Sequence, residues 1–195
     1  MKNYLLFTLL TFGLLIIGCG SKGGPDLSPE ASTKTVKNLP DWYLNTPVND
    51  GYQYAAAEAT SQSMQLAVDK ARVGAVSNLS QMIKSEWNGY TKRVQEETGM
   101  GSDSKLLDQF SSTQENVISN QLEGVIVKKK DIQVENSDGT RIYRIFVLVE
   151  FDENAANEKL LAQIKADQQL YDAMKASELV DEMEQKVEAY RQRNR

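Results

Sequence analysis

The segment that most constrains the fold is Arg141–Phe151, which is apolar on both faces at its centre. Successive side chains of a strand point to opposite sides of a sheet. A strand whose centre is apolar at every position, as at Ile145–Val149, needs cover on both sides, so we predict an inner strand. The preceding Asn136–Thr140 contains Gly139, which can adopt positive φ, and predicts a hairpin loop after a first strand over about Gly124–Glu135.

The first hairpin strand carries three consecutive lysines, Lys128–Lys130. Lysines on an edge strand discourage pairing with other sheets. A site for an anionic ligand is the alternative interpretation, and the sequence favours the edge strand.

A third strand and a long helix precede the hairpin. The alternating Tyr52–Ala57 predicts a short strand, and Thr60 or Ser61 can cap the helix that follows. Apolar residues then recur every three or four positions from Met64 to Val94. Small residues within that helix would let it lie close to a sheet: Ala67, Ala71, Gly74 and Ala75.

Two further helical segments complete the predicted fold. Ser102 or Asp103 can cap a helix that reaches Leu122, and the charged tail 153–195 forms an amphipathic C-terminal helix. The tail could dock on the same chain, pair with a second copy or project toward a partner, and docking is favoured. The predicted class is α+β: a small β-α-(α)-β-β domain with a three-stranded antiparallel sheet, long helices and a C-terminal helical extension.

Composition excludes several kinds of chemistry. The formal net charge is −5 and the chain has no histidine and one cysteine. An acidic chain is a poor partner for nucleic acid, and histidine is the commonest general base and metal ligand. One cysteine permits neither an intrachain disulfide nor a cysteine-ligated zinc site. We therefore predict no catalytic residues, no metal and no cofactor.

The N-terminus carries the strongest functional signal. Lys2 is followed by an apolar run, Tyr4–Gly18, of about 15 residues, which is shorter than the roughly 20 that span a bilayer. This pattern is typical of a signal peptide over residues 1–18. The run ends in Ile16-Ile17-Gly18-Cys19 and resembles a bacterial lipobox. The resemblance implies that the Cys19 thiol receives diacylglycerol and that cleavage precedes Cys19, whose new amino group is then acylated.

Residues 19–38 are rich in Gly, Pro and small polar residues and predict a lipidated flexible tether. Gly20, rather than an aspartate that would retain the protein at the inner membrane, favours an outer-membrane location facing the periplasm. The α+β domain should cover residues 39–152. Trp42 and Tyr43 are expected to cap one end of its core.

Four short pieces of the chain are Pro40-Asp41-Trp42, Tyr54–Ala59, Ala67–Arg72 and the Asp138-Gly139 turn before Tyr143–Val149. In this order they resemble the twenty-kilodalton outer-membrane lipoprotein family of Gram-negative bacteria (the Lpp-twenty type). The matching pieces lie within residues 40–151. The resemblance implies a small β-α-β-β domain, and relatives include lipoproteins needed for flagellar motility. It carries over no catalytic residue.

Four functional classes can be compared. An enzyme would have to use scattered acids such as Asp131, Glu135, Glu150 and Asp152, and a small-ligand receptor would need a larger cavity. The favoured class is a structural or assembly lipoprotein, held to the membrane by lipid on Cys19, whose partners are envelope proteins or peptidoglycan. A self-assembling dimer or ring is the alternative, because the sheet has edges and Val180-Met183-Val187-Tyr190 has heptad-like spacing.

Overall fold

The computed structural model describes residues 38–101, 104–137, 139–175 and 177–193. Cys19, the signal peptide and most of the tether lie outside these ranges. The described elements are α1 (Asp41–Leu44), β1 (Tyr52–Ser61), α2 (Met64–Thr98), α3 (Lys105–Glu123), β2 (Ile126–Ser137), β3 (Thr140–Asp152), α4 (Glu153–Ala166), α5 (Gln168–Met174) and α6 (Glu178–Arg193).

The three strands form an antiparallel sheet in the order β1-β3-β2. The α+β class and the inner position of the second hairpin strand are therefore confirmed. On β3, Ile145, Val147 and Val149 join the core beneath the helices, while Phe146 and Leu148 are fully buried on the opposite face. The lysine-rich strand β2 lies at an edge, as predicted.

Helix α2 packs against β1 and β3 through small side chains. Ala67, Ala71 and Ala75 are completely buried. A Cβ atom at Gly74 would lie 3.2 Å from the Cβ of Ala57 on β1, so the helix and strand are already close. The predicted close approach of an alanine-rich helix is confirmed. At 35 residues the helix is about 52 Å long, and its C-terminal half packs with other helices.

The aromatic pair before β1 lies elsewhere than expected. The ring of Tyr43 packs edge-on against Phe146, with centroids 4.9 Å apart, and Trp42 packs edge-on against Tyr43. Asn38 accepts a hydrogen bond from Gln133 Nε2 at 2.9 Å. Trp42 and Tyr43 therefore pack across the second face of the sheet, whereas the sequence predicted that they cap one end of the core.

Both predicted helix caps need correction. The N-cap of α2 is Ser63, whose side chain accepts a hydrogen bond from the Leu66 amide, and neither Thr60 nor Ser61 caps it because β1 continues through Ser61. The N-cap of α3 is Ser104, without a side-chain bond. Ser102 and Asp103 lie outside the described residues.

The C-terminal extension consists of three helices rather than one. Asp167 ends α4 and caps α5, where its carboxylate accepts a hydrogen bond from the Leu170 amide at 3.0 Å. A second break follows Met174. The apolar residues of the extension are buried: Leu160, Leu161, Ile164, Leu170, Met174, Leu179, Val180, Met183 and Val187. The extension therefore docks on its own chain, which was the favoured interpretation.

A glycine before β1 fixes the start of the extension. The Gly51 carbonyl accepts hydrogen bonds from the Glu153 amide at 3.0 Å, the Asn154 amide at 3.3 Å and Asn154 Nδ2 at 3.1 Å. Gly51 has φ +76°, and a Cβ there would lie 1.8 Å from Asn154 Nδ2. Glycine adopts this positive φ without strain, and its missing Cβ leaves room for the Asn154 side chain.

We predict that Gly51→Ala lowers the free energy of unfolding by about 3 kcal/mol, because it combines left-handed strain with displacement of a buried amide. Gly139→Ala is the matched control. Gly139 has a similar φ of +78° but open space around it, so about 1 kcal/mol is expected. Urea unfolding of both variants measures the difference, and equal losses would contradict a role for the Asn154 contact.

Candidate functional site

A groove of about 850 Å³ lies between α2 and α3. Its lining comes from one side of each helix: Val76, Ser80, Lys84, Trp87, Asn88 and Thr91 on α2, and Ser111, Gln114, Glu115, Ile118, Ser119, Leu122 and Glu123 on α3. The two helices contact each other along this groove and pack through their other sides on the sheet and on α4. We refer to it as the α2–α3 groove.

The floor of the α2–α3 groove combines apolar side chains with a buried amide. Gln114 is only 3% exposed, and its Oε1 accepts a hydrogen bond from Thr91 Oγ1 at 2.6 Å. Trp87 is 1% exposed, and its indole N–H has no hydrogen-bond partner among the described residues. The buried amide and the Thr91 hydroxyl fix the spacing of the two helices, since an unpaired amide here would be costly.

The rim of the groove is polar and carries both charge signs. Hydroxyl and amide side chains line it, together with Lys84 on α2 and Glu115 and Glu123 on α3. Such a surface offers hydrogen bonds at its edges and apolar contact within. The lining residues include no histidine or cysteine.

Beyond the groove, the far end of α2 is tied to the C-terminal extension by charged groups. Arg93 donates to both carboxylate oxygens of Glu182 at 3.0 Å and lies 3.4 Å from Glu97. Glu97 also accepts a hydrogen bond from the hydroxyl of Ser177, which is buried. The Ser177 hydroxyl, with help from the Leu179 amide and Arg93, holds the pKa of Glu97 below its ordinary value.

The second face of the sheet holds two polar clusters. In one, Arg144 lies 3.2 Å from Glu58 and 3.0 Å from Glu135. In the other, Glu150 pairs with Lys128 at 3.0 Å and accepts a hydrogen bond from the Tyr54 hydroxyl at 2.7 Å. Burial, followed by the nearby Glu150 carboxylate, raises the pKa of Tyr54. Both clusters tie neighbouring strands together.

The four acids considered as catalytic candidates are not gathered around a cleft. Each bonds a different neighbour: Asp131 accepts from Gln133, Glu135 pairs with Arg144, Glu150 pairs with Lys128, and Asp152 accepts from the Ala155 amide to cap α4. Among the acids near the end of α2 and on α6, Glu96 is exposed, whereas Glu97 and Glu182 bind Arg93. Cys19 lies outside the described residues.

Sequence reasoning missed the α2–α3 groove. Gln114 falls on the apolar stripe of α3, and a polar residue at a stripe position is the one signal that could have identified it. The position of Trp87 on the stripe of α2 indicated core packing, and the structure places it both in the core and in the groove floor.

Neither a known protein family, nor a curated protein, nor a solved structure matches this chain. Within the described ranges, acidic side chains form no group that could hold a metal ion. In those same ranges, no helix has both the length and the hydropathy needed to cross a membrane. The resemblance to the Lpp-twenty type therefore stays a proposal.

We predict that Glu97→Gln lowers the free energy of unfolding by about 1 kcal/mol at neutral pH, because a charged acceptor is lost. Since folding lowers the pKa of Glu97, this stabilisation is complete above the ordinary value of 4.5 and is lost as the pH falls through the lowered value. The difference between wild type and variant should therefore shrink on acidification.

Glu96→Gln is the matched control for this experiment. Glu96 is 64% exposed and its contact in the structure is a 3.8 Å pair with Lys92, which contributes little. Urea unfolding between pH 3 and pH 7 compares the two variants with wild type. The assignment is wrong if both variants show the same pH dependence.

Proposed function

We propose that this protein is a lipoprotein of the bacterial cell envelope, anchored by lipid on Cys19, that serves a structural or assembly role by binding other envelope components. The observation that carries the proposal is the N-terminal pattern: Lys2, a short apolar run, Gly18 and then Cys19. Cys19 is the single cysteine of the chain, and a thiol is the nucleophile that lipid transfer requires.

Lipid on Cys19 would supply the membrane affinity. Each buried methylene contributes about 0.8 kcal/mol, so a single acyl chain holds a protein weakly and two or more hold it stably. The Gly- and Pro-containing residues 20–38 would then separate the domain from the bilayer. Gly20 favours the outer membrane, with the domain facing the periplasm.

The structure of the domain supports binding rather than chemistry. Its candidate acids are each bonded to structural partners, and the α2–α3 groove has an apolar floor with a polar, mixed-charge rim. A segment of another envelope protein, with apolar residues flanked by polar ones, would match this groove. Confinement to one membrane raises effective concentration, so a modest affinity is sufficient. Peptidoglycan is the other envelope partner considered, and a motility-related role rests on the family resemblance alone.

The test of the anchor is the intact mass of the protein extracted from membranes. We expect the wild type to begin at Cys19 and to carry the added mass of acyl chains, whereas Cys19→Ala carries none. Ser21→Ala, two residues further on, should be processed like wild type. A wild-type chain that retains residues 1–18 and has no acyl mass would show an uncleaved anchor and overturn the proposal.

The test of the binding surface is a photo-crosslinking residue placed in the α2–α3 groove of the full chain in the living envelope. At Ser119, which lines the groove, we expect an adduct with an envelope protein. At Asn116, which is exposed on α3 but does not line the groove, the adduct should be absent. Equal adducts at both positions, or none at Ser119, would show that the groove is not the contact surface.

A further inference from the structure

Edge strand β2 exposes four large apolar side chains, as many as the much longer helix α2. Four of its residues are exposed: Ile126 at 60%, Val127 at 39%, Ile132 at 43% and Val134 at 52%. Ile132 pairs with Ile145 and Val134 with Tyr143, so both project from the helix-side face of the sheet. The helices on that face cover mainly β1 and β3, which leaves an uncovered apolar row along β2.

The polar residues of β2 lie on its more covered face. Asp131, Gln133 and Glu135 are half-buried, because Asn38 accepts from Gln133 and Arg144 binds Glu135. The usual distribution of polar and apolar side chains is therefore inverted on this strand. An apolar row beside a free strand edge is typical of a surface that binds another chain.

The two sheet edges differ in their accessibility. On β1, the Ala56 carbonyl accepts a hydrogen bond from Asn78 Nδ2 at 3.3 Å, and Gln53 is bonded to Glu86, so side chains of α2 reach over that edge. On β2, in the described residues, backbone pairing is with β3 alone. A bulge at Lys128 interrupts the start of the strand, and regular strand continues from Lys129 to Ser137.

We propose that β2 pairs antiparallel with β2 of a second copy of this chain, with Ile132 on the twofold axis. A symmetric pairing must place a residue opposite itself, because facing residues of an antiparallel pair lie on the same side of the sheet. This requirement leaves few central registers. They differ in the charges that they bring together.

Of the registers centred on Asp131, Ile132 and Gln133, charge favours the one centred on Ile132. With Asp131 on the axis, two carboxylates face each other, and with Gln133 on the axis, Asp131 faces Glu135. With Ile132 on the axis, Lys129 faces Glu135 in both halves, and the stem of Lys130 lies over Val134. Like charges directly opposite destabilise a pair, whereas opposite charges stabilise it. The lysines that discourage other pairings are thus compatible with this one.

This pairing would join the two sheets into one of six strands, with Ile132, Val134 and the Lys130 stem of both copies side by side on the helix-side face. It depends on residues of β2 and not on lipid at Cys19. It therefore goes beyond the proposed function, and each can fail without the other.

The test is disulfide trapping with single cysteine variants of the full chain, purified in detergent and oxidised mildly. Ile132→Cys should form a covalent dimer, because facing residues have Cα atoms about 5 Å apart. Val134→Cys is the matched control: its two copies would lie about 13 Å apart along the strands, beyond disulfide reach. Peptide mapping should find position 132 joined to position 132, and wild type controls for disulfides through Cys19.

A charge variant gives an independent readout. Lys129→Glu in the Ile132→Cys background should slow dimer trapping roughly tenfold, since two attractive pairs become repulsive. Lys70→Glu, on the exposed side of α2, should leave the rate unchanged. Circular dichroism checks that each variant is folded. Trapping that is faster at Asp131→Cys or Gln133→Cys would overturn the register, and no trapping at any of the three positions would overturn the pairing.

Discussion

The burial of β3 on both of its faces is the constraint on which the rest of the structure depends. Ile145, Val147 and Val149 need cover on one side and Phe146 and Leu148 on the other. A three-stranded sheet provides neither by itself. Helix α2 and the elements packed on it cover the first face, and Tyr43 contacts Phe146 on the second. The short segment before β1 thus helps to cover the second face of the sheet.

The way α2 covers the sheet determines what remains available for binding. Because Gly74 and the alanines of α2 lie close to β1, the helix sits over β1 and β3, and the outer strand β2 extends past it. Because α2 is longer than the sheet needs, its second half forms a platform for α3 and α6. The α2–α3 groove and the exposed row of β2 both follow from this single placement. Neither depends on a special loop.

Much of this could be predicted from residue patterns, and the exceptions have physical reasons. The inner strand, the lysine-bearing edge strand and the alanine-rich helix follow from local periodicity, which the structure preserves. The cap at Ser63 was missed because β1 extends to Ser61 through pairing with Tyr143, a nonlocal effect. The break at Asp167 was missed because an acidic residue within a charged helix resembles a solvated position, whereas here it caps α5. The groove depends on Gln114 meeting Thr91 across two helices, which no single segment reveals.

Strand β2 shows how one edge can both resist and permit association. Lys128 lies at a bulge, where regular pairing is interrupted, and the three lysines place positive charge along the strand. Charge of one sign alone would exclude every pairing with a second copy. The acids and the lysines of β2 are separated along the strand, however, with Lys129 near one end and Glu135 near the other. Two copies of a strand with this charge distribution bring like charges together when they pair in parallel or in a shifted register. An antiparallel register that places the lysine end of one copy beside the acidic end of the other is favoured. Specificity then comes from the like charges that the neighbouring registers bring together, and the exposed Ile132 and Val134 supply the apolar contact in the register centred on Ile132.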